Sequence, residues 1–203
     1  MGKSGLLDLE KHFAFYGAYH SNKINVLIHT LFVWPILFST LIFLHFTPSV
    51  CDFSDKVSFL PCGLFGHALV FNLGFLFTLI YASFYYCLDK KAGSLAALLC
   101  FACWVGASLL SNRLGFSLAW KVAVAAQLIC WTGQFLGHGI FEKRAPALLD
   151  NLVQALLMAP FFVLLEVLQV FGYEPYPGFH ANVEAKIRAE IKEWQDKKQK
   201  KIS

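Results

Sequence analysis

The stretch Gln134-Phe135-Leu136-Gly137-His138-Gly139-Ile140-Phe141-Glu142-Lys143-Arg144-Ala145-Pro146-Ala147-Leu148-Leu149-Asp150-Asn151 is the densest run of reactive side chains in the chain. It stands between two of the most apolar segments, so its reading decides how the chain is laid out. With 134–142 helical, Gln134, His138 and Glu142 fall at i, i+4 and i+8 and share one face. A polar stripe at the end of a membrane-length helix is costly and by default marks a functional site. Gly133, Gly137 and Gly139 weaken that helix but leave little bulk beside the imidazole. Taken alone, the stretch fits a buried, hydrogen-bonded structural histidine equally well.

Working outward, composition gives the class. Hydrophobic residues make up 57% of the 203 and charged residues 15%, against about 25% charged in soluble domains. The mean hydropathy of +0.56 agrees, and the 21 Phe and 5 Trp suit a bundle in lipid. The expected fold is an all-α polytopic membrane helix bundle. The net charge of +4 comes largely from the tail, without the basic-aromatic interleaving of a nucleic-acid binder. No cleavable signal peptide is expected, because Asp8, Glu10, Lys11 and His12 interrupt the N-terminal apolar pattern. Cys100 and Cys103 form a CxxC inside an apolar run, where small apolar packing is the better reading. Cys51 and Cys62 flank a loop and could pair in an oxidising lumen.

In chain order, 4–20 reads as an amphipathic helix capped by Ser4, lying on the membrane surface or tucked under the bundle. Spans are expected at 24–46 (kinked at Pro35), 66–88, 94–111 and 118–141. Residues 147–171 are apolar, but Pro160 divides them into halves too short to cross. Lys and Arg cluster before the first span, after the second and after the fourth, which places those segments and the N-terminus in the cytosol. The tail carries seven Lys or Arg between 186 and 201 and is expected there too. A fifth crossing would send it to the other side, so 147–171 is read as a re-entrant or interfacial hairpin bent at Pro160. Four spans result, with a membrane domain at 1–175 and a basic cytosolic tail at 176–203. Lys200-Lys201-Ile202-Ser203 resembles a dilysine retrieval signal for the endoplasmic reticulum.

This topology gathers His20, His29 and His138 at one membrane face. The turn Ser21-Asn22-Lys23 lets the first helix fold back so that His20 can meet His29. Several histidines plus a carboxylate, with open positions, are how proteins hold redox-active iron. Glu142 is a candidate ligand, a partner orienting His138, or a salt-bridge partner for nearby lysines. Asp150 is a further nearby carboxylate. Lys143 and Arg144 either hold the carboxylate of an acidic lipid or are simply positive-inside charges. His12 is a weaker candidate, His45 and His67 fall at the opposite face, and His180 lies in a loop. The histidine boxes of di-iron lipid hydroxylases are missing, which favours a mononuclear site. A non-catalytic four-span scaffold or adaptor remains the alternative. A proton-coupled transporter would show internal repeats, and the halves are not alike.

Phe15-Tyr16-Gly17-Ala18-Tyr19-His20, with Asn22 and Asn25-Val26-Leu27-Ile28-His29, resembles the N-terminal motif of the Mpo1-like (DUF962) family. Gln134–Gly139 with Phe141–Leu148 and Asp150-Asn151-Leu152 resembles its second motif. The likeness extends over about 5–172. It implies an endoplasmic-reticulum dioxygenase dependent on Fe(II), which converts 2-hydroxy fatty acids to one-carbon-shorter acids in phytosphingosine breakdown. The motif histidines carry over onto His20, His29 and His138 as metal ligands, and the implied partners are the hydroxy acid, O₂ and the bilayer; Glu142, Lys143 and Arg144 are the candidate catalytic residues from the reading of the residues themselves. The substrate supplies all the electrons, so the lack of a nicotinamide or flavin motif is consistent.

Overall fold

Asn25, His29, Val33, Leu37 and Leu41 recur every fourth residue and form the buried stripe of the helix Lys23–His45, while Leu27 and Leu31 point outward and are more than half exposed. A helix with a polar end on its inner stripe and large apolar side chains outside has its core face set by packing rather than amphipathicity. In the computed structural model, which describes residues 5–49, 71–146, 152 and 154–200, this helix (α2) is the central post. It follows α1 (Leu9–Tyr19) and continues through Pro35. Then come α3 (Leu73–Leu88), α4 (Lys90–Leu136), a π-helical turn Gly137–Glu142, a second π turn Gln154–Met158, α5 (Ala159–Val170) and α6 (Phe179–Lys200). The described residues contain no strand.

Gly115, with φ 71° and ψ 165°, is not helical and divides α4 into arms 90–114 and 116–136. The chain reverses there. Trp104 packs on Phe75, and Gly93 abuts the Tyr85 carbonyl, so the first arm runs antiparallel to α3. Past the corner, Trp120 meets Phe43, Gln127 meets the Ile36 carbonyl, and Gly133 faces Phe32, so the second arm runs antiparallel to α2. The expected loop at 112–117 is thus replaced by a single-residue corner that only glycine adopts without strain.

Among the described residues two helices, Lys23–His45 and Lys90–Glu142, are long and apolar enough to cross a membrane, not four. The reasons are local. The 16 residues of α3 rise roughly 24 Å, short of the roughly 30 Å hydrocarbon core, and the two expected later spans are joined in α4.

Within the described residues, 147–171 does not form the expected hairpin bent at Pro160. Pro160 lies in the first turn of α5, where its missing N–H would have had no intrahelical partner. The carbonyls of Leu156 and Leu157, left over by the irregular turn before it, accept the hydroxyls of Tyr81 (3.0 Å) and Tyr85 (2.8 Å). Phe161, Phe162, Val163 and Leu165 are fully buried, so α5 is inserted into the bundle instead of lying at an interface.

Helix α1 is sandwiched between α5 and α6. Asp8 caps it, accepting from the Lys11 amide at 3.0 Å; the expected cap Ser4 lies outside the described residues, as do Cys51, Cys62 and His67. Phe13 meets Phe162 edge to face and stacks on Phe179, and Ile187 of α6 lies over Gly17. Glu10 accepts from Lys186 (2.6 Å) and from Tyr176.

Two outcomes follow from this packing. Gly115→Ala should destabilise the bundle by about 1–3 kcal/mol, from the cost of holding a Cβ-bearing residue in that conformation, measured by thermal unfolding in detergent. Bonds from Lys186 and Tyr176 lower the Glu10 pKa below its ordinary 4.5. A carboxyl lowered in the folded state contributes stability above its unfolded pKa, and this is lost as pH falls through the folded value. Acidification below about pH 4.5 should therefore loosen α6 from α1 first, seen as early loss of Trp194 fluorescence shielding, and Glu10→Gln should abolish that pH dependence.

Candidate metal centre

His20 ends α1. Its ring stacks on Tyr16 at 4.0 Å, and its Nδ1 donates to the Tyr16 carbonyl at 2.7 Å. Asn22 then caps α2 by accepting from the Ile24 amide at 2.9 Å, which turns the chain back within three residues. His29 lies on the buried stripe of α2, and its Nδ1 donates to the Asn25 carbonyl at 2.9 Å. A carbonyl oxygen only accepts, so in both residues Nδ1 carries the proton and Nε2 keeps its lone pair. That is the tautomer and orientation in which a metal-ligating histidine is held.

His138 comes from the π turn. The expected α-helical face over 134–142 is not continued, because four residues no longer complete a turn where the bonding widens to i→i+5. His138 stays one α-turn after Gln134 and points inward, while Glu142 is carried off toward the Ser21–Asn25 segment. Gly137 permits the approach: a Cβ there would lie 2.3 Å from Asn25 Oδ1.

The three rings meet edge to face, with centroids 4.3, 4.8 and 4.8 Å apart. One nitrogen from each lies within 4.8 Å of the others, and all three residues are buried. His20 Nε2 and His138 Nδ1 have no hydrogen-bond partner. Burial first, then the neighbouring imidazoles of His29 and His138, holds the His20 pKa well below 6.5, so it is neutral and free to ligate. Three neutral imidazoles around a common point, with buried nitrogens otherwise unsatisfied, fit a first-row divalent metal.

The neighbouring candidates are placed as follows. Both Glu142 oxygens are engaged, Oε2 by the Ser21 hydroxyl (2.9 Å) and Oε1 by the Asn22 amide (2.7 Å) and the Asn25 side chain (3.2 Å). Arg144 donates to the Ala18 carbonyl at 2.9 Å and lies 3.5 Å from the Tyr19 ring centroid and 5.1 Å from that of Trp194. Lys143 is exposed, in the left-handed conformation that ends the π turn. Asp150 lies outside the described residues. His12 meets the Gly5 carbonyl, His45 meets Asn112, and His180 pairs with Glu184, so none of them joins the cluster. Cys100 and Cys103 are free thiols in the bundle interior.

A cavity of about 330 Å³ opens from the three histidines. It follows α2 past Val33 and Leu37 to Thr40 and is walled elsewhere by Phe77, Trp131 and Phe162. From His29 to Thr40 the helix rises roughly 16 Å, so the lining runs from a polar head along a mostly apolar wall. Sequence reasoning located the histidines but not the π turn or the clasp from Glu142 to Ser21, Asn22 and Asn25. The one available signal for that clasp was Asn22 and Asn25, two uncommon amides at the mouth of an apolar helix.

Glu142→Ala leaves the Asn22 amide and the Asn25 side chain without their acceptor. It should destabilise the protein by about 1–3 kcal/mol, measured by thermal unfolding in detergent, with Lys143→Ala unchanged as the exposed comparison.

The family profile described as "2-hydroxy-palmitic acid dioxygenase Mpo1-like" matches residues 6–171. The 2-hydroxy-palmitic acid dioxygenase MPO1 of Saccharomyces cerevisiae is 39% identical over 171 residues, covering 84% of this chain and 86% of the yeast protein. No solved structure matches the chain significantly. The matched region contains all three histidines and both segments that carry them, and the chain belongs to the Mpo1-like family.

Proposed function

We propose that the protein is an Fe(II)-dependent dioxygenase that converts 2-hydroxy fatty acids to the one-carbon-shorter fatty acid. The observation that carries this is the pair of buried, unpartnered nitrogens, His20 Nε2 and His138 Nδ1, at the head of an apolar cavity. A scaffold that uses its polar residues only to staple helices has no reason to leave them unbonded. The yeast relative is named for 2-hydroxy-palmitic acid, a ligand with a polar head and a long apolar tail.

The overall reaction balances without a separate reductant: the 2-hydroxy acid and O₂ become the shorter acid, CO₂ and water. Ferrous iron, when bound, supplies the one-electron chemistry that O₂ needs to react with an organic acid. The chain's own residues do the rest. Tyr16 and Asn25 carbonyls fix the ring planes of His20 and His29. Glu142 is a positioning residue that ties the His20–His29 turn to the segment bearing His138. Lys143 offers an exposed cation to an arriving carboxylate, and Arg144 braces the backbone beside Ala18. The apolar walls hold the acyl chain and exclude water.

In this reading α2 and α4 are the elements that cross the endoplasmic-reticulum membrane, with the histidine end and both termini toward the cytosol. The apolar exteriors of α2 and α4 and the basic residues at 90, 91, 143 and 144 support it.

The test uses the purified full chain with 2-hydroxypalmitate under air. Pentadecanoic acid should form with Fe(II) and stop when the iron is chelated. His138→Ala should lose both stoichiometric iron and product while keeping a wild-type unfolding profile in detergent. Full turnover in that variant would sink the assignment.

A further inference from the structure

Most polar groups that line the cavity are already occupied. Thr40 donates to the Ile36 carbonyl and Tyr81 to that of Leu156; Gln127 donates to the Ile36 carbonyl and to Ser39 and Thr40; Trp131 donates to Gln127. His20 and His29 spend their N–H on backbone carbonyls. Two donors remain. Gln134 is 6% exposed and its Nε2 has no partner; Tyr16 is 5% exposed and its hydroxyl has none. Both line the cavity beside the histidines. Each lies four residues before one of them, Tyr16 before His20 and Gln134 before His138, so helical geometry sets both next to the same polar head.

A buried donor without an acceptor is destabilising, and two at one end of an apolar cavity call for an acceptor-rich guest. A carboxylate fits, since it accepts through both oxygens and donates nothing. The residue bearing the strongest fixed positive charge nearby, Arg144, is committed to Ala18, Tyr19 and Trp194 and does not line the space.

We infer that Gln134 and Tyr16 bind the acid head of the ligand, the Gln134 amide and the Tyr16 hydroxyl each donating to the carboxylate of a long-chain acid whose tail lies along Val33 and Leu37. The inference rests on the proposed function in taking that acid to be the substrate. It names these two residues, beyond the metal-holding histidines, as the source of selectivity for acids over esters and alcohols.

The experiment measures binding of 2-hydroxypalmitate and of its methyl ester to the full chain in detergent, metal-free and, anaerobically, iron-loaded. The wild-type protein should prefer the acid. Gln134→Leu and Tyr16→Phe should each weaken acid binding about tenfold or more, the usual effect of losing a bond to a charged group, while ester binding changes little. Gln134→Glu should weaken the acid further, by setting carboxylate against carboxylate. Iron content should stay at the wild-type level in Tyr16→Phe, which keeps the ring stacked on His20. Wild-type affinity for the acid in both single variants overturns the inference, as does equal loss for acid and ester. Iron content and pentadecanoate report separately on the oxygenase reading, so its failure leaves a distinct signature from failure of the head-group contacts.

Discussion

The carboxylate of Glu142 joins two parts of the chain that lie far apart in sequence. It accepts from Ser21, 121 residues away in sequence, from the Asn22 amide and from the Asn25 side chain. Those donors belong to the turn between His20 and His29, and Glu142 ends the turn that carries His138. Hydrogen bonds to a carboxylate in a part-buried setting are among the stronger polar interactions a protein makes. Here they convert two local motifs into one site.

Around this clasp the architecture separates its tasks. Helix α2 presents its buried stripe to the cavity and large apolar side chains outward. The corner at Gly115 folds one long apolar segment into two antiparallel arms, one packed on α3 and one on α2. Helix α5 fills the interior with Phe161 and Phe162, and Tyr81 and Tyr85 satisfy the carbonyls that its irregular start leaves over. In an apolar surrounding every such carbonyl needs an internal partner, which is why two tyrosines face the irregular turn before α5. The cavity exists because this filling stops at the histidines.

Much of this was legible from residue types. The boundaries of α2 lie within a residue of those that hydropathy indicates, and the histidines at 20, 29 and 138 were singled out by their two motifs. The departures share a cause. A straight helix through Gln134–Glu142, a loop at 112–117, a hairpin at Pro160 and four separate membrane-length helices are all extrapolations of local pattern. Each was overridden where a glycine corner, a widened turn or a distant hydroxyl made another backbone path satisfactory.

By itself the sequence determined a helical, apolar protein with a basic tail, and it nominated the histidines, because hydropathy, charge and short motifs are properties of neighbouring residues. Only the tertiary structure decided that Glu142 clasps the Ser21–Asn25 turn, and that Gln134 and Tyr16 line the cavity with donors left without partners. Whether a polar group is satisfied depends on what lies against it, and here the answer comes from residues more than a hundred positions away.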